Sequence, residues 1–332
     1  MSANRTCSRP RFYAFKSPFA KVEKRKITVL VPCYNERENV ASLYERIRAS
    51  LEETPSVEGN VLFVDNRSID GTSDAIRNIS NTDPRVRLII NQRNFGHVRS
   101  PFHGLLQADG DAVIVLPADL QVAPELIPEF VQKWEAGSSV VLVQRTDAEE
   151  TFLFRWIRRT YYRIVRQLAD IQLLENTPGW GLYDRKVIET FRALDDPYPY
   201  VRGLVSELGF NVTTIPYRES NRTRGISKNN FYTLFDIAML AMTAHSKVPL
   251  RLATMLGFGL ATLFGASGVG YLVYKLIFWD RFPVGMAPVV IGLFFFASVQ
   301  LFFIGIIGEY IGAIYTKVTK RPLVVEKERI NF

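Results

Sequence analysis

Two uncharged, largely apolar stretches, Leu252 to Tyr274 and Phe282 to Gly308, constrain this chain more than any other feature. They run for 23 and 27 residues, and about 20 helical residues suffice to cross a hydrocarbon core roughly 30 Å thick. Two such runs so close together point to a two-helix membrane hairpin rather than to buried helices of a soluble domain. Between them only Lys275, Asp280 and Arg281 are charged, whereas Arg222, Arg224, Lys228, Lys247 and Arg251 precede them and Lys317, Lys320 and Arg321 follow. Cationic flanks stay on the cytoplasmic side, so the rest of the chain and both termini are expected in the cytoplasm.

The chain has 332 residues, room for a soluble domain besides the hairpin. Its formal charge of +8 suits either nucleic acid or anionic lipid. The bases concentrate beside the spans and in the first 26 residues, where a membrane already accounts for them, so no nucleic-acid partner is expected. Cys7 and Cys33 make neither a disulfide framework nor a metal cluster. Residues 1–26 interleave Phe12, Tyr13, Phe15 and Phe19 with eight cations and lack the apolar core of a signal peptide. Such an arm either lies on anionic headgroups or is a solvated tail. Residues 221–250 carry Phe231, Leu234, Phe235, Ala238, Met239 and Met242 at helical spacing, an apolar stripe for the membrane interface or for the soluble domain. Glycines 257, 259, 265, 268 and 270 permit close helix approach, within the hairpin or between subunits. A homo-oligomer, with a tetramer as the candidate, is one consequence.

Residues 27–220 form the soluble domain, the hairpin occupies 251–316, and 317–332 is a cytoplasmic tail. Short β-rich runs at ITVLVP (27), NVLFVD (60), VRLIIN (86), DAVIVLP (111) and SVVLVQ (139) alternate with helical patterns. This βαβ succession predicts an α/β fold with a mostly parallel sheet. Ligands of such sheets bind where strands end and loops begin. There stand Pro32-Cys33-Tyr34-Asn35-Glu36, Asp65 to Thr72, and Pro117-Ala118-Asp119-Leu120-Gln121. An aromatic ring and carboxylates there suit a base and a ribose, and Asp119 with the Gln121 carbonyl suits a hard divalent cation. Neither a GxGxxG nor a P-loop pattern is present. His97 is a candidate donor contact, His103 a packing residue, and Asp184 the N-cap of a helix DRKVIETF.

With these motifs the chain resembles the inverting GT-A glycosyltransferases of family 2, of the polyprenyl-phosphate type that includes dolichol-phosphate mannose synthase and the bactoprenol-phosphate glucosyltransferases. The signs are VPCYNERENV at 31, VDNRSIDGTSD at 64, NQRNFGH at 91, ADLQVAPELI at 118, LYDRKVIE at 182, RTRGISKNNF at 222 and GEYIGAIYTKVTKRP at 308. The resemblance implies a GT-A domain, interfacial helices and a transmembrane hairpin in a bacterial inner membrane. It implies that Pro32, Tyr34, Glu36 and Asp65 bind the nucleotide of a nucleotide-sugar, and that Asp119 and Gln121 hold Mg²⁺ or Mn²⁺ on its diphosphate. It also implies that Arg222, Arg224, Ser227 and Lys228 lie near phosphates. Basic groups beside a membrane hairpin are also where a lipid phosphate would be received. Arg145, after the fifth strand, is either a diphosphate contact or part of a structural ion pair.

Three positions depart from the family pattern. Asn66-Arg67 stands where many relatives carry Asp-Gly, Pro117 where the first aspartate of Asp-Ala-Asp is usual, and Gly179 where a catalytic aspartate is frequently invoked. A hydroxyl acceptor needs a base to remove its proton. A phosphate monoester, with a second pKa of about 6, is mostly a dianion at neutral pH and needs positioning instead. The expected activity is therefore inverting transfer of a sugar to polyprenyl phosphate, with a non-catalytic sugar-nucleotide-binding or scaffold homologue as the alternative. A processive synthase is disfavoured, since the Gln-x-x-Arg-Trp element is absent.

Overall fold

The computed structural model describes residues 24–146, 177–217, 248–278, 286–319 and 321–332. The basic arm before residue 24, the four residues Arg222, Arg224, Ser227 and Lys228, and the stripe from Phe231 to Met242 lie outside the described residues.

The five expected strands are present as β1 (Arg25–Cys33), β2 (Val57–Asp65), β3 (Val86–Asn91), β4 (Ala112–Val115) and β5 (Val140–Arg145). They alternate with α1 (Arg37–Glu52), α2 (Thr72–Thr82), α3 (Gly96–Gln107) and α4 (Ile127–Glu135). Next come β6 (Gly181–Asp184), α5 (Arg185–Leu194), α6 (Val201–Glu207) and β7 (Val212–Tyr217). The C-terminal part holds α7 (Val248–Ile277), α8 (Met286–Val318) and β8 (Glu326–Ile330). Asp184 caps α5 as expected, accepting from the Lys186 backbone N–H at 2.8 Å.

Among the described residues the strands make one eight-stranded sheet in the order β7-β5-β6-β4-β1-β2-β3-β8. It is mostly parallel, with β6 and β8 antiparallel to their neighbours. Both faces are covered. Val29, Val31 and Phe63 pack on α1, α2 and α4, while Leu30, Leu62 and Val64 pack on α3, α5 and α6. Burial on both faces explains why these strands read as unbroken apolar runs rather than as alternating ones.

Strand direction fixes what the sheet presents at its carboxyl edge. β1, β2, β3 and β4 run parallel. β5 and β7 run the same way, because β6 reverses direction between β4 and β5. Tyr217, the end of β7, therefore lies at the edge where β1 and β4 end. β8 enters at that edge too, with Glu326 opposite Asn91. The segment carrying α7 and α8 thus leaves the sheet and returns to it on one side.

The segment 317–332, expected to be only a tail, contributes this edge strand. Gln92 N–H donates to the Val325 carbonyl at 2.8 Å, Asn331 Nδ2 donates to the carbonyls of Ser80 and Val86, and Arg77 makes a two-pronged pair with Glu328. α8 contains a 24-residue stretch, Phe295–Val318, long and apolar enough to cross a membrane, and no other described helix does. α7 covers the other uncharged run as a single helix. Large apolar side chains on both, among them Phe258, Leu276, Leu301, Phe302 and Ile311, are exposed.

Candidate active site

Three loops meet at the carboxyl edge, and each holds one non-glycine residue in the left-handed region: Asn35 (φ 57°), Arg67 (φ 67°) and Leu120 (φ 60°). Backbone strain of this kind persists only where surrounding contacts enforce it. Here the contacts are visible. Asn35 N–H donates to Ser68 Oγ at 2.8 Å, and Asn35 Oδ1 accepts from Ile69 N–H at 3.0 Å. Glu36 N–H donates to Thr72 Oγ1 at 2.9 Å, so the loops after β1 and β2 are zipped together. Asp70 closes the zipper by accepting from the Arg37 and Thr72 backbone N–H groups and from the Thr72 hydroxyl. Burial pushes its carboxyl up, but these donors together hold it below the ordinary range.

Asp65 is fully buried, and Ser68 and Ser73 saturate its oxygens. It holds the loop and does not line the cavity described next. Asn66, 6% exposed, accounts for the first departure from the family pattern. Its amide donates to Asn94 Oδ1 at 2.8 Å and to the Gly96 carbonyl at 3.2 Å, while its oxygen accepts from Asn91 Nδ2 and Phe95 N–H, both at 2.9 Å. A carboxylate has no N–H to give, so only an amide can order the loop from β3 to α3 in this way.

A cavity of about 550 Å³ opens at this edge. Pro32, Tyr34, Glu36, Asn66 and His97 line one side, Gly179, Trp180, Tyr200 and Arg202 the other, and Asp119 lies in the lining after β4. Glu36 Oε2 accepts from Asn39 Nδ2 at 2.7 Å, which fixes its carboxylate at the start of α1. Cys33 lies in the wall, and burial first, then Asp65, Glu36 and Asp70, pushes its thiol well up, leaving it un-ionised. Tyr183, buried, donates its hydroxyl to the Gly179 carbonyl at 2.6 Å.

Of the residues picked from sequence, the structure brings Pro32, Tyr34, Glu36 and Asp119 together around the cavity. Gln121 lies beside it, its backbone N–H donating to Asp119 Oδ1 at 3.2 Å, and Arg145 is exposed at the end of β5. His103 packs as expected, paired with Glu326 of β8 at 2.5 Å. Arg202 escaped the sequence reading because a lone arginine between Val201 and Gly203 carries no spacing signal. No group of three or more metal-binding side chains exists among the described residues. With Glu36 held by Asn39, Asp119 alone after β4 fits a cation shared with substrate phosphates and water, as Mg²⁺ commonly binds, and not an all-protein cage.

Known proteins match this chain along nearly its whole length. Residues 28–192 match the model described as glycosyl transferase family 2, and residues 248–314 the one described as the GtrB C-terminal hairpin. The chain is 34% identical over 304 residues to the uncharacterized glycosyltransferase YkcC of Bacillus subtilis, covering 90% of this chain and 92% of that one. It is 32% identical over 305 residues to the bactoprenol glucosyl transferase of Shigella phage SfII, covering 91% and 98%. To the prophage bactoprenol glucosyl transferase homolog of Escherichia coli K12 it is 30% identical over 303 residues, again covering 91% and 98%.

Proposed function

We propose, from the premise that this chain belongs to glycosyl transferase family 2 and is a glycosyltransferase, that it moves a sugar from a nucleotide-sugar to polyprenyl phosphate with inversion, on the cytoplasmic face of a bacterial inner membrane. The observation that carries this reading is the common edge. The chain leaves β7 and re-enters at β8 on the same carboxyl edge at which the cavity opens, so an apolar segment between them is held on the side of the sheet that carries the site. An acceptor whose tail is in lipid and whose phosphate is at the water boundary fits that arrangement.

The same edge supports two spans. β7 and β8 belong to one sheet, so the chain between them crosses a bilayer an even number of times. If α8 crosses once, another segment must cross back, and α7 is the other described helix in that interval. The match to a C-terminal hairpin over 248–314 agrees. A Cβ built on Gly257, Gly259 or Gly270 would meet nothing within 4 Å among the described residues outside its own helix, which leaves room there for helices of other copies in a homo-oligomer such as a tetramer. Cross-linking in membranes reads that number.

In the reaction, Tyr34 and Glu36 would seat the base and ribose, and Asp119 would hold Mg²⁺ or Mn²⁺, which when bound screens charge on the departing diphosphate. A lipid-phosphate oxygen attacks the anomeric carbon from the face opposite the diphosphate. The new carbon–oxygen bond forms as the bond to the nucleoside diphosphate breaks, its electron pair leaving with that group. The attacking oxygen is already deprotonated, so no base is required, consistent with glycine at 179. Arg222, Arg224, Ser227 and Lys228 follow β7 in sequence and would meet the phosphates.

The test is mass spectrometry of lipid-linked product after supplying purified protein with mixed nucleotide-sugars, undecaprenyl phosphate and either metal. A single glycolipid, absent with Asp119→Asn, supports the reading. Nucleotide-sugar binding with no product across the panel would sink it in favour of a binding or scaffold role.

A further inference from the structure

The cavity has two sides with respect to β4. The loops after β1 and β2 lie on one, and the segments bordering β6 and α6 on the other, where Arg202 projects into the lining. Its guanidinium donates to the Thr177 carbonyl at 3.1 Å, and its central carbon stands 5.2 Å from the centre of the Tyr200 ring. No carboxylate pairs with it among the described residues. A half-buried guanidinium that faces a cavity with one carbonyl partner keeps most of its five N–H donors for something else.

Gly179 preserves that state. Its φ of +89° disfavours any side chain, and a Cβ there would stand 3.4 Å from Arg202 Cγ. The stem of Arg202 therefore packs across the glycine, and the Tyr183 hydroxyl fixes the glycine carbonyl from the buried side. A carboxylate at 179 would be strained and would lie against the arginine, cancelling its charge.

We propose that Arg202 is the acceptor-anion residue. Its planar fork takes the oxygens of a phosphate monoester on the β6 side of Asp119, and the bare Gly179 leaves that cation unpaired until the acceptor arrives. A guanidinium matches two phosphate oxygens at once, which places the third toward the sugar. This assignment rests on the lipid-phosphate reading and adds the residue that selects a phosphate over an alcohol.

Full-length protein in phosphatidylcholine nanodiscs tests it, with steady-state kinetics on undecaprenyl phosphate and calorimetry of nucleotide-sugar binding. Arg202→Gln should raise the acceptor KM about ten- to a hundredfold, as expected for losing a charge-assisted bond. Nucleotide-sugar affinity should stay within about twofold. Arg202→Lys, which keeps the charge and loses the fork, should fall between and carries the comparison if the glutamine variant melts early. A shift in nucleotide-sugar affinity with an unchanged acceptor KM would overturn the assignment, as would no effect on either. If the wild type transfers nothing, ³¹P line broadening of farnesyl phosphate still decides. Broadening lost in Arg202→Gln and reduced in Arg202→Lys supports Arg202 as an anion site, and broadening equal to wild type in Arg202→Gln overturns it.

Discussion

Lys317 Nζ, in the last turn of α8, lies 3.6 Å from Asp196 Oδ2, in the loop that leads from α5 to the cavity-lining Tyr200 and Arg202. The end of the apolar helix is therefore tied to the proposed acceptor side. Lys317 is half exposed, so the pair adds little to stability once water screens it. Its effect is expected on docking. Lys317→Glu should leave the melting temperature within about 2 °C and raise the KM for bilayer-embedded acceptor severalfold, with nucleotide-sugar affinity unchanged. Kinetics in nanodiscs beside calorimetry checks this, and an unchanged KM would show the contact to be idle.

Asn66→Asp restores the commoner family residue and should nevertheless destabilise this chain. Two donated bonds vanish, and a carboxylate is turned toward Asn94 Oδ1 and the Gly96 carbonyl. The cost should be about 3 kcal/mol, read from the urea midpoint, with faster amide exchange at residues 92–96. Neutral behaviour would mean the loop does not depend on this amide.

Gly181 opposes Leu142 in the β5–β6 pair at a φ of 145°, and a Cβ there would fall 2.0 Å from the Val141 carbonyl oxygen. Gly181→Ala must push β5 and β6 apart inside the sheet. A loss of about 3 kcal/mol or more is expected, measured by chemical denaturation against Gly137→Ala. Gly137 also has positive φ, but a Cβ there meets nothing within 4 Å.

The edge strand should respond to acid. Burial raises Glu326, but Arg329 and His103 outweigh it and hold its carboxyl below the ordinary range. A depressed folded pKa contributes stability above the unfolded value of about 4.3, and that contribution is lost as pH falls through the folded value. Below about pH 4, amides of 326–330 should exchange sooner than those of β1. Glu326→Gln should weaken the pH dependence, leaving the part carried by the Arg77–Glu328 pair, and a dependence as large as the wild type's would place the titration elsewhere.

The fold was legible in β1 to β5 because each is an apolar run covered on both faces. β6 was not, since Gly181–Asp184 offers only Leu182 and Tyr183 before α5 begins. Nor was β8, because Glu326–Ile330 is charged and half-exposed, as edge strands often are, and its pairing follows from the open edge of β3. The site loops were readable as unusual residues at strand ends. Their division of labour was not: Asp65 is spent on its own turn, Asn66 on its neighbour's loop, and Arg202 faces the cavity only because α6 folds back over Gly179.

The central claim, that a sugar passes with inversion to a lipid-phosphate oxygen, is tested most directly by proton NMR of the purified glycolipid with and without phosphorus decoupling. The account predicts an anomeric proton coupled to a single phosphorus and an anomeric configuration opposite to that of the donor. An uncoupled anomeric proton, or a configuration retained from the donor, would contradict it.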